Sequence, residues 1–470
     1  MARIQKKNGT SPYLLVILSF LIVIVIGSFL LVAPFSQTSG QWAFNYTSDD
    51  GSIRITYLDC LFTAISATCV TGLCTFTQGI GGALTRVGQL IVLIMIQIGG
   101  LGFITVLTFV ITLFKRRLQF KDRVFLSQAV NATNFADVVK FVRRIVIISL
   151  IMETLGFLLG LPVAFILYPD DVFNALWASL FTSLSAFNNA GFDIFGSTSL
   201  IPDVGTIMFT LKDTALWAYY YYLSYIMVLI IMGGISFLVI IEIFSFKKSA
   251  KQFTAFTKIV LTTSSILLVL GAAGFYLSDG LFGAHITPFD AIFQSVTCRT
   301  AGFASFDQSN LSAAGKTISC ILMFIGGSPL STAGGIKTTT LFIVIVAVVS
   351  HLRGKRVVAF NRLYSEKTVL KGMTLMVIAL LTVVLAYVLI SSFEGPERFS
   401  SEAIFFETFS AFGTVGLSAD LTPLLSDGSK IVIGTMMFLG RLGPMTFFQV
   451  FRTSPDSGHY KYIEADFLIG

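Results

Sequence analysis

Long and short apolar runs alternate along this chain. Long runs cover 13–32, 87–114, 145–168, 217–246, 259–277, 318–349, 373–393 and 431–451, near or above the roughly 20 residues that a helix needs to cross a hydrocarbon core. Within each successive pair lies a shorter run, at 57–68, 173–187, 289–296 and 403–412. Such a run is too short to cross, but it suits a half-helix that enters the membrane and returns. A small or polar stretch around one glycine follows each: Thr68-Cys69-Val70-Thr71-Gly72-Leu73, Ala186-Phe187-Asn188-Asn189-Ala190-Gly191-Phe192, Thr297-Cys298-Arg299-Thr300-Ala301-Gly302-Phe303 and Phe412-Gly413-Thr414-Val415-Gly416-Leu417.

The central glycines are separated by 119, 111 and 114 residues (191−72, 302−191, 416−302). A near-constant period of this length predicts four copies of one membrane unit rather than a short solenoid repeat. The expected fold is an all-α polytopic membrane protein: four repeated helix–pore-helix–helix units around one pseudo-fourfold pore, eight spans plus four re-entrant half-helices. The units are expected at 1–120, 121–250, 251–356 and 357–470, the last including the C-terminal tail. Four backbone loops on one axis would exchange a cation's water shell for carbonyl oxygens.

A second signature recurs after each glycine loop. It reads Ile98-Gly99-Gly100-Leu101-Gly102-Phe103, Met232-Gly233-Gly234-Ile235-Ser236-Phe237, Ile325-Gly326-Gly327-Ser328-Pro329 and Leu439-Gly440-Arg441-Leu442-Gly443-Pro444. The offsets from loop glycine to break glycine are 27, 42, 24 and 24 (99−72, 233−191, 326−302, 440−416), the second stretched by an insertion near 202–212. One Gly-Gly pair in a membrane helix is ordinary packing; two ordered motifs recurring together point to a repeated unit.

Composition sharpens the class. At 54% hydrophobic and 12% charged over 470 residues, with a mean hydropathy of +0.83, the chain is far from a soluble domain. The net charge of +7 follows from one-sided loops and not from nucleic-acid binding. Lys115, Arg116, Arg117, Lys121, Arg123, Lys140, Arg143 and Arg144 lie between the first units, Lys247, Lys248, Lys251 and Lys258 between the next, and Arg353, Lys355, Arg356, Arg362, Lys367 and Lys371 between the last. Segments beside the glycine loops are mixed to acidic, with Asp59, Asp170, Asp203, Asp307 and Asp420 among them. The positive-inside rule puts both termini in the cytoplasm and makes the glycine loops open outward, in the plasma membrane. Arg3, Lys6 and Lys7 precede a first apolar run without a clear small-residue cleavage site, so that run is expected to be an anchor.

Five scattered cysteines and three distant histidines predict neither a disulfide framework nor a histidine metal site. No HExxH, GxSxG or paired His/carboxylate cluster occurs, so an enzyme is not expected and no catalytic residue is assigned.

With its four single-glycine loops and glycine-rich breaks, the chain resembles the Trk/Ktr/HKT superfamily of potassium transporters, in which four helix–pore-helix–helix units surround one permeation path. One span precedes the first loop, so it is most similar to KtrB-type membrane subunits. The resemblance implies a selectivity filter lined by Val70, Thr71, Gly72, Asn188, Asn189, Ala190, Gly191, Thr300, Ala301, Gly302, Thr414, Val415 and Gly416, holding K+ through backbone carbonyls. Potassium is then the substrate, sodium a second ion, and a nucleotide enters only through a partner subunit. The implied partners are a second copy in a homodimer, a cytosolic nucleotide-binding regulatory ring (KtrA/KtrC-like) and the lipid bilayer.

The least helical stretch inside any span runs from Gly326, Gly327, Ser328 and Pro329 through Ser331 and Thr332 to Gly334, Gly335 and Lys337. Pro329 lacks an N–H and the glycines weaken the helix around it. Unwound backbone at membrane depth persists only where protein or a water-filled path surrounds it. The resemblance makes this stretch an intramembrane gate below the filter, with Arg441 facing the pore there. An intramembrane arginine costs about 2.5–3.5 kcal/mol or more without a partner, and the alternative is an arginine clamped to the carbonyls of this stretch. Lys337 is expected to snorkel to the cytoplasmic interface, Glu153 to be a paired structural carboxylate, and Arg299 to point away from the axis. The rival mechanism is an alternating-access, cation-coupled secondary transporter. Inverted repeats would mark it, whereas these units start on the same side.

Overall fold

The computed structural model describes residues 12–43, 55–102, 138–196, 199–202, 206–244, 253–282, 286–395 and 398–443. The distal part of the predicted 87–114 span, the unit boundaries near 120 and 250, the basic stretches 115–123 and 247–251 and the tail after 443 lie outside the described residues.

Helices dominate. In chain order they are α1 (Pro12–Val32), α2 (Tyr57–Cys69), α3 (Gly79–Ala83), α4 (Arg86–Leu101), α5 (Val138–Leu167), α6 (Val172–Phe187), α7 (Ile207–Thr214), α8 (Leu216–Gly234), α9 (Phe237–Phe244), α10 (Ala255–Phe275), α11 (Pro288–Thr297), α12 (Ala313–Phe324), α13 (Thr338–Leu352), α14 (Glu366–Glu394), α15 (Ser401–Gly413) and α16 (Asp427–Leu442). Among the described residues the only sheet is a two-stranded hairpin, β1 (Val358–Ala359) and β2 (Arg362–Leu363), between α13 and α14. Phe360 and Asn361 at its tip both have positive φ, the backbone of a two-residue turn whose twist matches the strands.

Among the described residues four helices are long and apolar enough to cross a membrane, 140–167, 216–234, 255–281 and 366–394. They stay apolar where they face outward: Leu150, Ile151, Leu155 and Leu158 on α5 and Leu381, Val384, Leu385 and Val388 on α14 are exposed. In water such a surface would be an aggregation liability. In a bilayer it is the face that meets the acyl chains. The short helix α7 falls within the longer second interval between loop glycine and break glycine, 191–233.

The shorter helices α2, α6, α11 and α15 are set by their caps. Thr56 and Asp59 form a reciprocal capping box on α2, with Asp59 Oδ2 accepting from Thr56 N at 2.9 Å. Thr287 and Asp290 do the same on α11, with Pro288 opening the helix. Asp171 caps α6 and Ser400 caps α15. Each cap satisfies N–H groups that the helix itself leaves open. The inner ends of these helices are buried and carry small polar residues: Ser66 and Thr68, Ser183 and Ser185, Ser295 and Thr297, Thr408 and Ser410.

Packing between these helices is cyclic. α4 packs against α6, α8 against α11, α12 against α15, and α16 returns to α2. Polar pairs tie two of these seams. Trp177 Nε1 donates to Gln89 Oε1 at 2.7 Å between α6 and α4, and Lys430 Nζ meets Asp59 Oδ1 at 2.7 Å between α16 and α2.

Candidate ion-conducting site

The four loop glycines stand in a closed ring. A Cβ built on Gly72 would lie 2.5 Å from the Ala190 carbonyl oxygen, one on Gly191 2.6 Å from that of Ala301, one on Gly302 2.2 Å from that of Val415, and one on Gly416 2.1 Å from that of Thr71. Each loop is thus the next one's neighbour, and the fourth returns to the first. The glycines have φ of +101°, +69°, +80° and +98°, a region that L side chains rarely enter. Space and backbone therefore both require glycine at this position.

Two residues earlier every loop has a second left-handed residue: Val70 at 58°, Asn189 at 57°, Thr300 at 75° and Thr414 at 49°. Three of these are β-branched, for which positive φ is an outlier that costs roughly 1–2 kcal/mol. Hydrogen bonds from the preceding helix end hold the loops in place. Thr71, Ala190 and Val415 donate their N–H groups to the carbonyls of Ser66, Ser185 and Ser410 at 2.8, 2.8 and 2.9 Å. Ser66 Oγ and Ser410 Oγ accept from the ring glycines Gly72 and Gly416 at 3.1 and 3.2 Å. Ser185 and Thr297 instead donate to the carbonyls of Phe192 and Phe303 at 2.5 and 2.6 Å.

Of the predicted lining residues, Val70, Thr71, Asn188, Asn189, Ala190, Thr300, Ala301, Thr414 and Val415 are buried, as are Gly191 and Gly302, whereas Gly72 and Gly416 are half-buried. Among the described residues the Thr71 and Thr414 hydroxyls have no hydrogen-bond partner. A cavity of ≈ 170 Å³ is lined by the four ring glycines together with Asp193, Asp307 and Asp420. Burial raises the Asp193 carboxyl to about 6 and raises Asp420 too, with help from the nearby Asp307 charge.

The glycine-rich breaks touch these loops directly. A Cβ on Gly99 would stand 2.0 Å from the Thr68 carbonyl oxygen, one on Gly233 1.8 Å from that of Phe187, and one on Gly440 2.0 Å from that of Phe412. Each of those carbonyls lies four residues before its ring glycine (72−68, 191−187, 416−412). The second helix can therefore approach the end of the short helix only through a residue without a side chain. At the third break a Cβ on Gly326 would stand 2.0 Å from the Gly334 carbonyl oxygen instead, because the chain between α12 and α13 folds back beneath its own ring segment.

That chain, 325–337, is irregular as expected and well anchored. Ile325 and Ile336 form a parallel bridge. Ser328 N donates to Gly234 O at 3.1 Å, Thr332 N to Gly233 O at 3.2 Å, and Phe237 N to Leu330 O at 2.9 Å. Thr332 Oγ1 also donates to Gly233 O at 2.9 Å. A Cβ on Gly334 would meet the Thr414 hydroxyl at 2.1 Å. The segment therefore lies against the end of α8 and the fourth ring loop. Most of it is buried, Ser328 and Thr332 completely.

Arg441 gathers three parts of the molecule. Its Nη1 donates to the Thr332 carbonyl. Its Nη2 donates to the carbonyls of Gly99 at 2.5 Å and Gly100 at 3.0 Å. The arginine is thus clamped to backbone oxygens of the irregular segment and of the end of α4. Lys337 departs from expectation. Its ammonium turns back to donate to Ala333 O at 2.6 Å and Gly334 O at 3.4 Å, because the unwound chain presents these carbonyls within its reach. Glu153 also has amide partners rather than a cationic one. Gln97 Nε2 donates to its two oxygens at 2.9 and 3.2 Å and Asn188 Nδ2 at 3.1 Å. Arg299 extends to Ser264 O at 3.2 Å and Gly326 O at 3.3 Å.

Comparison with known proteins agrees with this architecture. The family model for TrkH, a cation transport protein, matches residues 22–461. The chain is 34% identical over its whole length to a potassium/sodium uptake protein, NtpJ, of Enterococcus hirae, covering 99% of that protein. It is 33% identical to the Ktr system potassium uptake protein B of Bacillus subtilis, covering 98% of this chain and 97% of the relative. Its fold matches the crystal structure of the potassium transporter TrkH from Vibrio parahaemolyticus with a TM-score of 0.69 at 15% identity, over 96% of this chain and 87% of that one. Members of the matched family are transport proteins and not enzymes. The chain belongs to the TrkH cation transport family, within the Trk/Ktr/HKT potassium transporter superfamily.

Proposed function

We propose that this protein carries potassium into the cell through a channel-like pore whose selectivity filter is the glycine ring. The observation that carries the reading is the closed neighbour relation among Gly72, Gly191, Gly302 and Gly416. In each loop, left-handed residues alternate with ordinary ones, an arrangement that turns successive carbonyls towards the same side. Carbonyl oxygens on a common axis would replace the water shell of a monovalent cation. Thr71 and Thr414 add hydroxyl oxygens that no protein donor occupies. Asp193, Asp307 and Asp420 in the cavity beside the ring would raise the local cation concentration. Uptake proteins for potassium, and for potassium with sodium, among the relatives support the choice of ion.

In this reading the chain comprises four units around one pore, with the loops opening outward and the termini in the cytoplasm. The gate is the segment 326–337, locked by Arg441. Fixed positive charge beneath the filter opposes a cation, and the clamp on Thr332 keeps the segment across the path. The protein works as a homodimer with a cytosolic nucleotide-binding ring, through which a nucleotide acts. The exposed hairpin 358–363, with Val358 and Leu363 outward beside Lys355, Arg356 and Arg362, is the proposed docking point. Sodium is the second ion.

The test is potassium-limited growth and rubidium uptake in cells lacking their own potassium uptake systems. Expression of the wild-type chain should restore both, and Gly416→Ser should lower uptake and relax discrimination against sodium. Wild-type protein present in the membrane without restored uptake would overturn the proposal.

A further inference from the structure

Two buried charges lie behind adjacent loops at the same register. Asn188 and Arg299 each stand three residues before their ring glycine (191−188, 302−299). Their side chains extend to Glu153 and Ser264, each 38 residues before the same glycine (191−153, 302−264). One structural slot thus holds a carboxylate in the second unit and a guanidinium in the third. In the other two units the loop position is Cys69 and Gly413, neither of which is charged.

The hydrogen-bond donors around Glu153 favour its carboxylate form. Asn188 Nδ2 donates to the backbone carbonyl of Leu184 at 2.9 Å, which can only accept, so the Asn188 amide has one orientation. The same Nδ2 donates to Gln97 Oε1 at 3.0 Å, which orients Gln97 and leaves its Nε2 facing the carboxyl. Every side-chain group that bonds to the Glu153 carboxyl is therefore a donor, and a carboxylate is the form that accepts from all of them. Among the described residues no Lys or Arg pairs with it. Among the described residues Arg299 has backbone and hydroxyl oxygens as partners and no carboxylate. Each charge is left to act on its surroundings, since amide dipoles orient around a charge without cancelling it at a distance.

We propose that Glu153 is a specificity-determining residue of the pore: its carboxylate favours a cation at the ring, and Arg299 in the equivalent slot of the next unit opposes it. The pair sets the field at the ring, and neither touches the ion. Asn188 transmits position as well as charge, since it belongs to the second loop and fills the space where a Cβ on Gly100 would stand 2.1 Å from its Oδ1. This inference rests on the ring being the filter.

The test uses the full chain in potassium-transport-deficient cells, with KM and maximal rate for rubidium uptake and sodium competition measured for Glu153→Gln, Arg299→Gln and the double variant. Glu153→Gln keeps the shape and loses the charge. It should raise KM on the order of tenfold, as expected for removing one incompletely screened charge. Arg299→Gln should lower KM, and the double variant should fall between. Wild-type KM in Glu153→Gln, or shifts of the same sign in both single variants, would overturn the inference and leave both residues as packing. Should Glu153→Gln not reach the membrane, Arg299→Gln alone decides: a lower KM supports the inference and a raised or unchanged KM overturns it. Absence of uptake by the wild-type chain would instead overturn the pore reading itself.

Discussion

Arg441 on α16 donates to the carbonyl of Thr332, 109 residues earlier in the chain. With Gly99 and Gly100 as further acceptors, one guanidinium fastens the irregular segment to α4 and α16. Hydrogen bonds to a charged group are worth roughly 1.5–3 kcal/mol each. Arg441→Ala should free the segment and increase potassium flux several-fold; single-channel or flux recordings in reconstituted membranes check it. Equal or lower conductance would remove the lock.

Deleting 328–332 should have the same sign and a larger effect. The deletion removes the Ser328, Leu330 and Thr332 bonds to α8 and α9 as well as the Arg441 acceptor. Unchanged uptake by the deletant, present at wild-type level, would show that the segment does not obstruct conduction.

The ring glycines and the break glycines should be separable. Gly416→Ser places an atom 2.1 Å from Thr71 O inside the ring, whereas Gly440→Ala places one 2.0 Å from Phe412 O behind it. The first should alter discrimination between potassium and sodium. The second should mainly lower stability and total uptake, by about 1–3 kcal/mol as for other overpacked sites. Competition assays and thermal unfolding in detergent distinguish them.

The Lys430–Asp59 ion pair closes the α16–α2 seam with both side chains largely buried, at 11% and 7% exposure. Lys430→Met should lower the detergent melting temperature. Asp59→Asn should lower it further, because Asp59 also accepts from Thr56 N and Oγ1 at the start of α2. Breaking a buried pair costs about 3–5 kcal/mol in fully buried cases. Equal melting temperatures for the two variants would separate the seam from the cap.

Acidification should weaken cation capture on the cavity side of the ring. Burial raises Asp193 to about 6, so its negative charge is present above that pH and lost as pH falls through it. Rubidium KM should rise about two- to threefold between pH 7 and pH 5, consistent with one partly screened charge. Asp193→Asn should flatten that part of the profile and have a raised KM throughout.

Much of this architecture was readable in the residues. The alternation of long and short apolar runs located the short helices to within one or two residues, and the Gly-Gly breaks marked where helices approach the loop ends. The left-handed residues Val70, Thr300 and Thr414 were not readable, because β-branched side chains argue against that backbone and only the helix ends around them impose it. Lys337 breaks the sequence pattern for a related reason: a flanking lysine ordinarily reaches for the interface, and the open carbonyls of Ala333 and Gly334 exist only once the chain has unwound. Glu153 stood out as a lone acid in an apolar run, but its partners Gln97 and Asn188 are 56 and 35 residues away.

All four loops of the ring come from a single polypeptide, and each presses on its neighbour rather than on a copy of itself. In a homotetrameric pore any substitution is imposed fourfold, so a change in one quadrant cannot be tried alone. Here Asn188 and Arg299 occupy matching places with different chemistry, which a fourfold copy would forbid. With the ring as the proposed filter, selectivity can therefore drift one quadrant at a time while the shared backbone frame is preserved.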